Sequence, residues 1–190
     1  WAGSGLLVGV LREVYLPEAA FAFTPNQSEF ALGKVLVPEA DWKHGNPLHL
    51  LGAADREFDI VASMLPMGVR SPIPLKVTLP FGDDIELHDD LGNLILVASS
   101  MRMNPSGVGL FVVGPSFFSS PRSALRRFDE IGLGIEAAFA LPSGTFAPHT
   151  NISAYLVVVR RNISSRMFVA QLSTDTNTNL QIIGNFKENV

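Results

Sequence analysis

Leu141-Pro-Ser-Gly-Thr-Phe-Ala-Pro-His-Thr-Asn-Ile-Ser-Ala-Tyr-Leu-Val-Val-Val-Arg-Arg161 decides how this chain is read. Ala137-Ala-Phe-Ala-Leu141 runs apolar into Pro142-Ser-Gly144, a break with turn chemistry. Ala154-Tyr-Leu-Val-Val-Val159 follows as an unbroken apolar run rich in β-branched residues, closed by Arg160-Arg161. A run without polar alternation predicts a strand buried on both faces, as at the centre of an α/β sheet.

Working outward, Phe58–Ala62 predicts a short strand that Pro66 and Gly68 end. Val69–Pro80 holds three prolines and predicts a loop with Leu75–Leu79 extended. Gly82-Asp-Asp-Ile-Glu86 predicts a helix start, because acids favour the positive end of the helix dipole. Leu87, Leu91, Leu94, Ile95, Ala98 and Met101 then recur at helical spacing, and Asn104-Pro-Ser-Gly107 is the expected stop. Val108–Gly114 predicts a buried strand. Ser120-Pro121 predicts a capped helix to about Ile131, and Ile135–Leu141 the next strand. Ser165–Leu172 predicts another strand, and Asn177–Val190 a final helix. Alternation of this kind predicts an α/β sheet covered by helices. Upstream, Leu6–Leu16, Ala19–Phe23 and Phe30–Val37 lie between turn residues and predict strands of a meander, although the first is long enough for a helix. Residues 1–56 are therefore expected to be a β-rich part of the same domain and 57–190 its α/β region.

The chain has 190 residues, 47 % of them hydrophobic and 17 % charged, which predicts a single domain with a sizeable core and excludes a disordered tail. No apolar run reaches ~18 residues, so no membrane span is expected. The N-terminal stretch lacks a basic region and does not read as a signal peptide. The abrupt opening on Trp1 makes a fragment of a longer protein the expectation. Cysteine is absent, which removes disulfides, thiolate metal sites and cysteine nucleophiles. Asn151-Ile-Ser and Asn162-Ile-Ser match the glycosylation pattern by chance, since the expected compartment is cytoplasmic. His44, His49, His88 and His149 show no metal-ligand spacing, and Asp83, Asp84, Glu86, Asp89 and Asp90 read as helix-start acids, so no metal is expected. The net charge of −4 gives no general electrostatic case for nucleic acid. Arg122, Arg126 and Arg127 share one helix face, which can meet phosphate or simply face solvent.

The wording of two stretches resembles a family. Leu141-Pro-Ser-Gly-Thr-Phe, the following Pro-His-Thr-Asn-Ile, and the apolar strand ending in arginines resemble the late catalytic domain of N-6 adenine DNA methyltransferases, the modification subunits of type I restriction systems. Family members also carry Phe-Asp-x-Ile-x-x-Asn-Pro-Pro-aromatic-Gly. Aligned from Phe58-Asp59, that pattern falls without a gap on Met64, Leu65, Pro66, Met67 and Gly68. The resemblance covers roughly 57–190. It implies a three-layer, Rossmann-like methyltransferase sheet, mainly parallel with an antiparallel closing strand, in which 108–113, 135–141 and 154–159 lie side by side.

The resemblance also implies what is missing. In the family the Asn side chain holds the target adenine amine and the aromatic residue stacks on the flipped base. Met64 offers no comparable acceptor and Met67 no aromatic face. The family's cofactor loop, Asp-Pro-x-x-Gly-x-Gly, is not found. Ala2-Gly-Ser-Gly5 is set aside because no strand precedes it and no acid leads it. Gly45-Asn-Pro-Leu48 resembles the family's Gly-Asp-x-Leu segment near the cofactor, with Asn46 in place of the acid, although a simple turn explains it equally well. Pro142, Ser143, Gly144 and Thr145, with Arg122 and Arg126, are the candidate substrate or DNA contacts. The expectation is a degenerate methyltransferase-like module, without a cofactor, that engages nucleic acid or other parts of a larger complex. The alternative is an active adenine methyltransferase whose S-adenosylmethionine loop lies outside these residues. A small-molecule site reusing the cofactor cleft is a third idea.

Overall fold

The computed structural model describes residues 2–79, 81–120, 123–148, 150–161 and 166–189. In chain order the elements are α1 (Leu6–Tyr15), β1 (Phe21–Thr24), α2 (Gln27–Leu36), β2 (Asp41–His44), α3 (Pro47–Gly52), β3 (Phe58–Met64), β4 (Leu75–Thr78) and β5 (Asp84–Leu87). They continue with α4 (Leu91–Ser100), β6 (Met103–Val113), α5 (Ser116–Ser119), a 3-10 turn at Ala124–Arg127, β7 (Leu133–Ala140), β8 (Tyr155–Arg161), β9 (Phe168–Gln171) and α6 (Thr176–Glu188).

The apolar run of β8 sits where its composition requires. It lies between β6 and β7, antiparallel to both, in a five-stranded sheet of order β3-β6-β8-β7-β9. The β3–β6 and β7–β9 pairs are parallel, so β8 alone runs against the rest. Val157 and Val159 face one core while Val158 faces the other, the alternation a pleated strand imposes. On the first face α4 is apolar nearly all round and buries Leu94, Ile95, Leu96 and Val97 completely. On the second face Ile182 and Phe186 of α6 pack on the sheet, with the Phe186 ring 5.7 Å from Phe139 and 5.5 Å from Phe168. Helix, sheet and helix make the three layers, and the side-by-side placement of β6, β8 and β7 is as expected.

Residues 2–56 correct the expectation of a β-rich meander. Three helices occupy this stretch, and the strands β1 and β2 form a parallel pair of their own. Short apolar runs do not separate helix from strand by periodicity, and the caps decide it. Asn26 accepts from the Ser28 and Glu29 amides at 2.9 and 3.1 Å, which starts α2 where a strand was expected. Trp42 of β2 is the anchor of this part. Its indole is buried and donates to the Val37 carbonyl at 3.0 Å. Gly33 and Gly5 lie directly against that ring, leaving no room for a Cβ.

Two helix boundaries also differ. The acids at 83–86 do not open a helix; Asp84–Leu87 pairs antiparallel with Leu75–Thr78, and Thr78 Oγ1 donates to Asp84 at 2.8 Å. Ladder bonds and a buried Val77 and Leu87 outweigh a local cap signal. Among the described residues of 120–131, where a helix was expected, one 3-10 turn forms at Ala124–Arg127. The Ser123 hydroxyl donates to Phe117 O at 2.5 Å and accepts from Leu125 N at 3.3 Å, while Asp89 takes the Ala124 amide at 2.5 Å, so side chains satisfy groups a longer helix would pair. Pro121 and Arg122 lie outside the described residues.

Gly33→Ala should lower stability by about 1–3 kcal/mol through overpacking on Trp42, although alanine is the better helix former. A urea midpoint shifted down at constant m would show it. A second expectation concerns α6. The Thr178 side chain and amide both donate to Asp175 and hold its carboxyl below the usual aspartate value. The folded-state value is the lower one, so this cap contributes fully above the ordinary aspartate value and is lost as pH falls through the depressed one. Acid fraying of α6, followed by amide exchange, should show that step in the native chain and lack it in Asp175→Asn.

Candidate functional site

Because β3, β6 and β7 run the same way, their C-terminal ends share one edge of the sheet, and β8 starts there. The segments that leave this edge are 64–68, 114–116 and 141–148. In open α/β sheets this is the edge that takes ligands.

The Met64–Met67 segment stands at this edge and divides by burial. Met64, at the end of β3, is 54 % exposed, whereas Leu65 is 4 % exposed and its amide continues the ladder to Val112 O at 3.1 Å. The Pro66 carbonyl rests against Gly92 of α4 so closely that any Cβ there would collide with it. Met67 is half-buried, and its side chain lies against Gly114 at the end of β6, within 3.4 Å of where a Cβ would stand. Neither methionine is enclosed, whereas Leu65 joins the main core, so the segment is a rim of the edge anchored by one buried side chain.

The neighbouring candidates have local structural roles. Thr145 donates from Oγ1 to Pro142 O at 2.6 Å, and Gly144 adopts φ 78°, the left-handed geometry the turn needs. Pro142, Ser143, Gly144 and Thr145 therefore form a self-closed turn between β7 and β8, at the same edge as Met64. Asn46 is the cap of α3 and accepts from Leu48 N at 3.0 Å, so its side chain is already engaged.

Arg126 is not brought to this group. With Arg127, Ser123 and Ala124 it lines an open pocket of about 410 Å³ whose other wall is Glu86–Asp89 of the β4–β5 pair. Asp89 is the node of that wall: it receives Asn93 Nδ2 at 3.0 Å and the amides of Asp90 and Ala124. Arg127 is held by Glu130 at 2.7 Å. Arg122 lies outside the described residues. The arginines that end β8 sit at the opposite edge as staples: Arg160 Nε meets the buried Glu136 at 3.0 Å, and Arg161 donates to Met103 O at 2.9 Å. Among the described residues no three His, Asp or Glu side chains group as metal ligands, and no helix is long and apolar enough to cross a membrane.

One segment set aside on sequence gains a context. Gly3-Ser4-Gly5 heads α1, with Gly3 at φ 55° and Gly5 at φ 95°, and Ala2 N donates to Phe23 O at 2.8 Å beside the end of β1. Left-handed glycines leading into a helix N-terminus present backbone amides, the usual means of holding a polar ligand group. Gly-x-Gly directly before an apolar helix was the available signal. Beside it the hydroxyl of the buried Thr24 donates to Glu29 at 2.9 Å, a carboxylate at the start of α2.

No protein-family model matches the sequence, and no curated protein does. Solved structures do match. A Listeria monocytogenes protein assigned to the class I S-adenosylmethionine-dependent methyltransferases superposes with a TM-score of 0.71 at 19 % identity, over 98 % of this chain and 61 % of that one. The fold is that of the S-adenosylmethionine-dependent methyltransferases. The methyltransferase subunit of a type I restriction-modification system from Streptococcus thermophilus matches with a TM-score of 0.69 at 15 % identity, over 100 % of this chain and 47 % of that one. The M protein of the type I restriction enzyme EcoKI matches at 0.62 and 14 %, over 90 % and 40 %. The chain spans about three-fifths or less of the length of these methyltransferase-fold relatives.

Tested against the cofactor of this methyltransferase fold, the residues fit in part. Amides at the head of α1 are of the right type for a polar ligand group, but Gly5 N already donates to Ala2 O at 3.1 Å and the Glu29 carboxylate already accepts from Thr24 at 2.9 Å. Met64 and Met67 supply no acceptor for a substrate amine. The two layers of this edge separate by mutation: Gly92→Ala should cost about 1–3 kcal/mol by driving Pro66 outward. Met64→Asn should stay within about 0.5 kcal/mol of the native chain. Paired urea melts check both.

Proposed function

We propose that this chain is a degenerate relative of the N-6 adenine DNA methyltransferases. In this reading it is a structural or nucleic-acid-engaging module of a restriction or phage-defence protein, not a catalyst. In the same reading it works in the cytoplasm. The observation that carries the reading is Met64, exposed at the end of β3 where an amine acceptor would have to stand. Methyl transfer to an amine requires the nitrogen to be held and its lone pair aimed, and a thioether does neither. Structural relatives that belong to type I restriction-modification systems support a place within a larger assembly.

A second reading, an active methyltransferase completed by chain outside these residues, is favoured by the Gly3-Ser4-Gly5 geometry at the head of α1. Two measurements separate the readings. In a radiolabel-transfer assay the full-length protein should put no methyl group on adenine above background. The triple change Met64→Asn, Leu65→Pro, Met67→Tyr in the 190-residue chain should not create activity. Calorimetry of that chain with S-adenosylmethionine should show no saturable binding at sub-millimolar cofactor. A clean low-micromolar isotherm, or methylation by the unaltered protein, would decide for the enzyme.

A further inference from the structure

The open pocket of about 410 Å³ between the β4–β5 pair and the 3-10 turn holds none of the residues of the methionine edge, yet one helix turn joins the two. Asp89, in the pocket wall, lies just before the start of α4. Leu91, the first residue of α4, donates its amide to Val69 O at 2.7 Å, and Gly92 lies against the Pro66 carbonyl. The pocket and the Met64–Met67 segment therefore flank the same first turn.

The charges around the pocket pair off one by one until a single cation is left. Glu86 lies 3.7 Å from Lys76 and 3.9 Å from His88. Glu130 holds Arg127 at 2.7 Å. Asp89 has both carboxylate oxygens engaged, one by Asn93 Nδ2 and the Asp90 amide, the other by the Ala124 amide. Asp90 and Arg70, of opposite charge, are backbone partners in an isolated antiparallel bridge. Arg126 remains: it lines the pocket, is exposed, and its guanidinium meets no acceptor among the described residues.

The same wall has a second donor without an acceptor. Arg127 Nε is enclosed in the protein and makes no hydrogen bond. The groups left over here are N–H donors, which need an acceptor from outside the chain. Arg126 is also presented on a fixed main chain. Its amide bonds Ser123 O at 3.1 Å, the Ser123 hydroxyl is tied to Phe117 O, and the buried Phe128 ring stands 6.1 Å from that of Phe117. A contact group held in place in this way loses less freedom when it binds. Guanidinium donors match phosphate oxygens in pairs. A water takes about 30 Å³, so the pocket has room for a phosphate with its sugar beside it.

We infer that this pocket holds one backbone phosphate of a nucleic acid, with Arg126 as the charged contact. The inference rests on the nucleic-acid-engaging reading above and gives it a place. The strand is gripped beside the first turn of α4, and the Met64–Met67 rim lies next to it without supplying the grip. Because the contact is to phosphate, it positions the strand and does not read its sequence.

Fluorescence anisotropy of the full-length protein with a labelled DNA duplex tests this. Arg126→Ala should weaken binding about 5–10-fold, equally on two unrelated sequences, and lower the salt slope by about 1. Arg126→Lys should recover part of the affinity, since it keeps the charge and loses the paired geometry. Arg166→Ala, which removes an exposed arginine just before β9, should change affinity less than about twofold. Equal losses in Arg126→Ala and Arg166→Ala would overturn the inference and leave the nucleic-acid reading standing. No duplex binding by the unaltered protein would overturn both. Calorimetry with inorganic phosphate is the second arm. Saturable, Arg126-dependent phosphate binding, with duplex affinity unchanged in Arg126→Ala, would give the pocket to a free anion and overturn the nucleic-acid assignment.

Discussion

The central ladder of β6, β8 and β7 is the constraint from which the rest of the molecule follows. β8 is antiparallel to both neighbours and carries Val157, Val158 and Val159 into two different cores. One strand thereby fixes the distance and register between the α4 layer and the α6 layer. Full burial of a valine contributes about 1.5–3 kcal/mol relative to exposure, so three adjacent ones make a one-residue slip of β8 prohibitive. The buried Glu136 adds direction: its carboxylate meets Arg160 only in this register.

The same reversal sets the ligand-facing edge. Because β8 runs against its neighbours, the β7–β8 turn at Pro142–Thr145 stands beside the ends of β3 and β6. Met64 and Met67 reach that edge on a strand-to-loop transition clamped by α4, where Gly92 admits the Pro66 carbonyl. The main chain there is tied down by the Leu65–Val112 bond and the Pro66–Gly92 contact, while Met64 and Met67 lack the hydrogen-bonding groups that amine chemistry needs. Rigidity at this edge belongs to the fold, and the chemistry belongs to a few side chains that the fold does not specify.

The β4–β5 pair introduces a separate polar surface. Asp89 ties it to α4 through Asn93 and to the 3-10 turn through Ala124. Arg126 is displayed there and not at the methionine edge. Basic residues grouped by sequence thus fall into different roles: Arg160 and Arg161 staple strands, Arg127 pairs with Glu130, and Arg126 faces the pocket.

The sequence by itself determined the α/β class and the central strands. Those signals are local, since a double-sided apolar run and a Pro-Ser-Gly break have few alternative readings. It also singled out Met64–Met67 as a candidate, through a gapless resemblance anchored on Phe58-Asp59 and Gly68. Tertiary structure alone decided the elements whose local signals compete. Phe30–Val37 is a helix because Asn26 caps it and Trp42 packs on Gly33, and neither contact is visible in a short apolar run. Asp83–Glu86 carries a helix-start pattern but is claimed by a ladder with a strand formed by residues 75–78. The glycines at 3 and 5 had no meaning until Phe23 of β1, eighteen residues beyond Gly5, came back alongside Ala2. Local chemistry proposes an element, and contacts made across the chain choose among proposals of similar free energy.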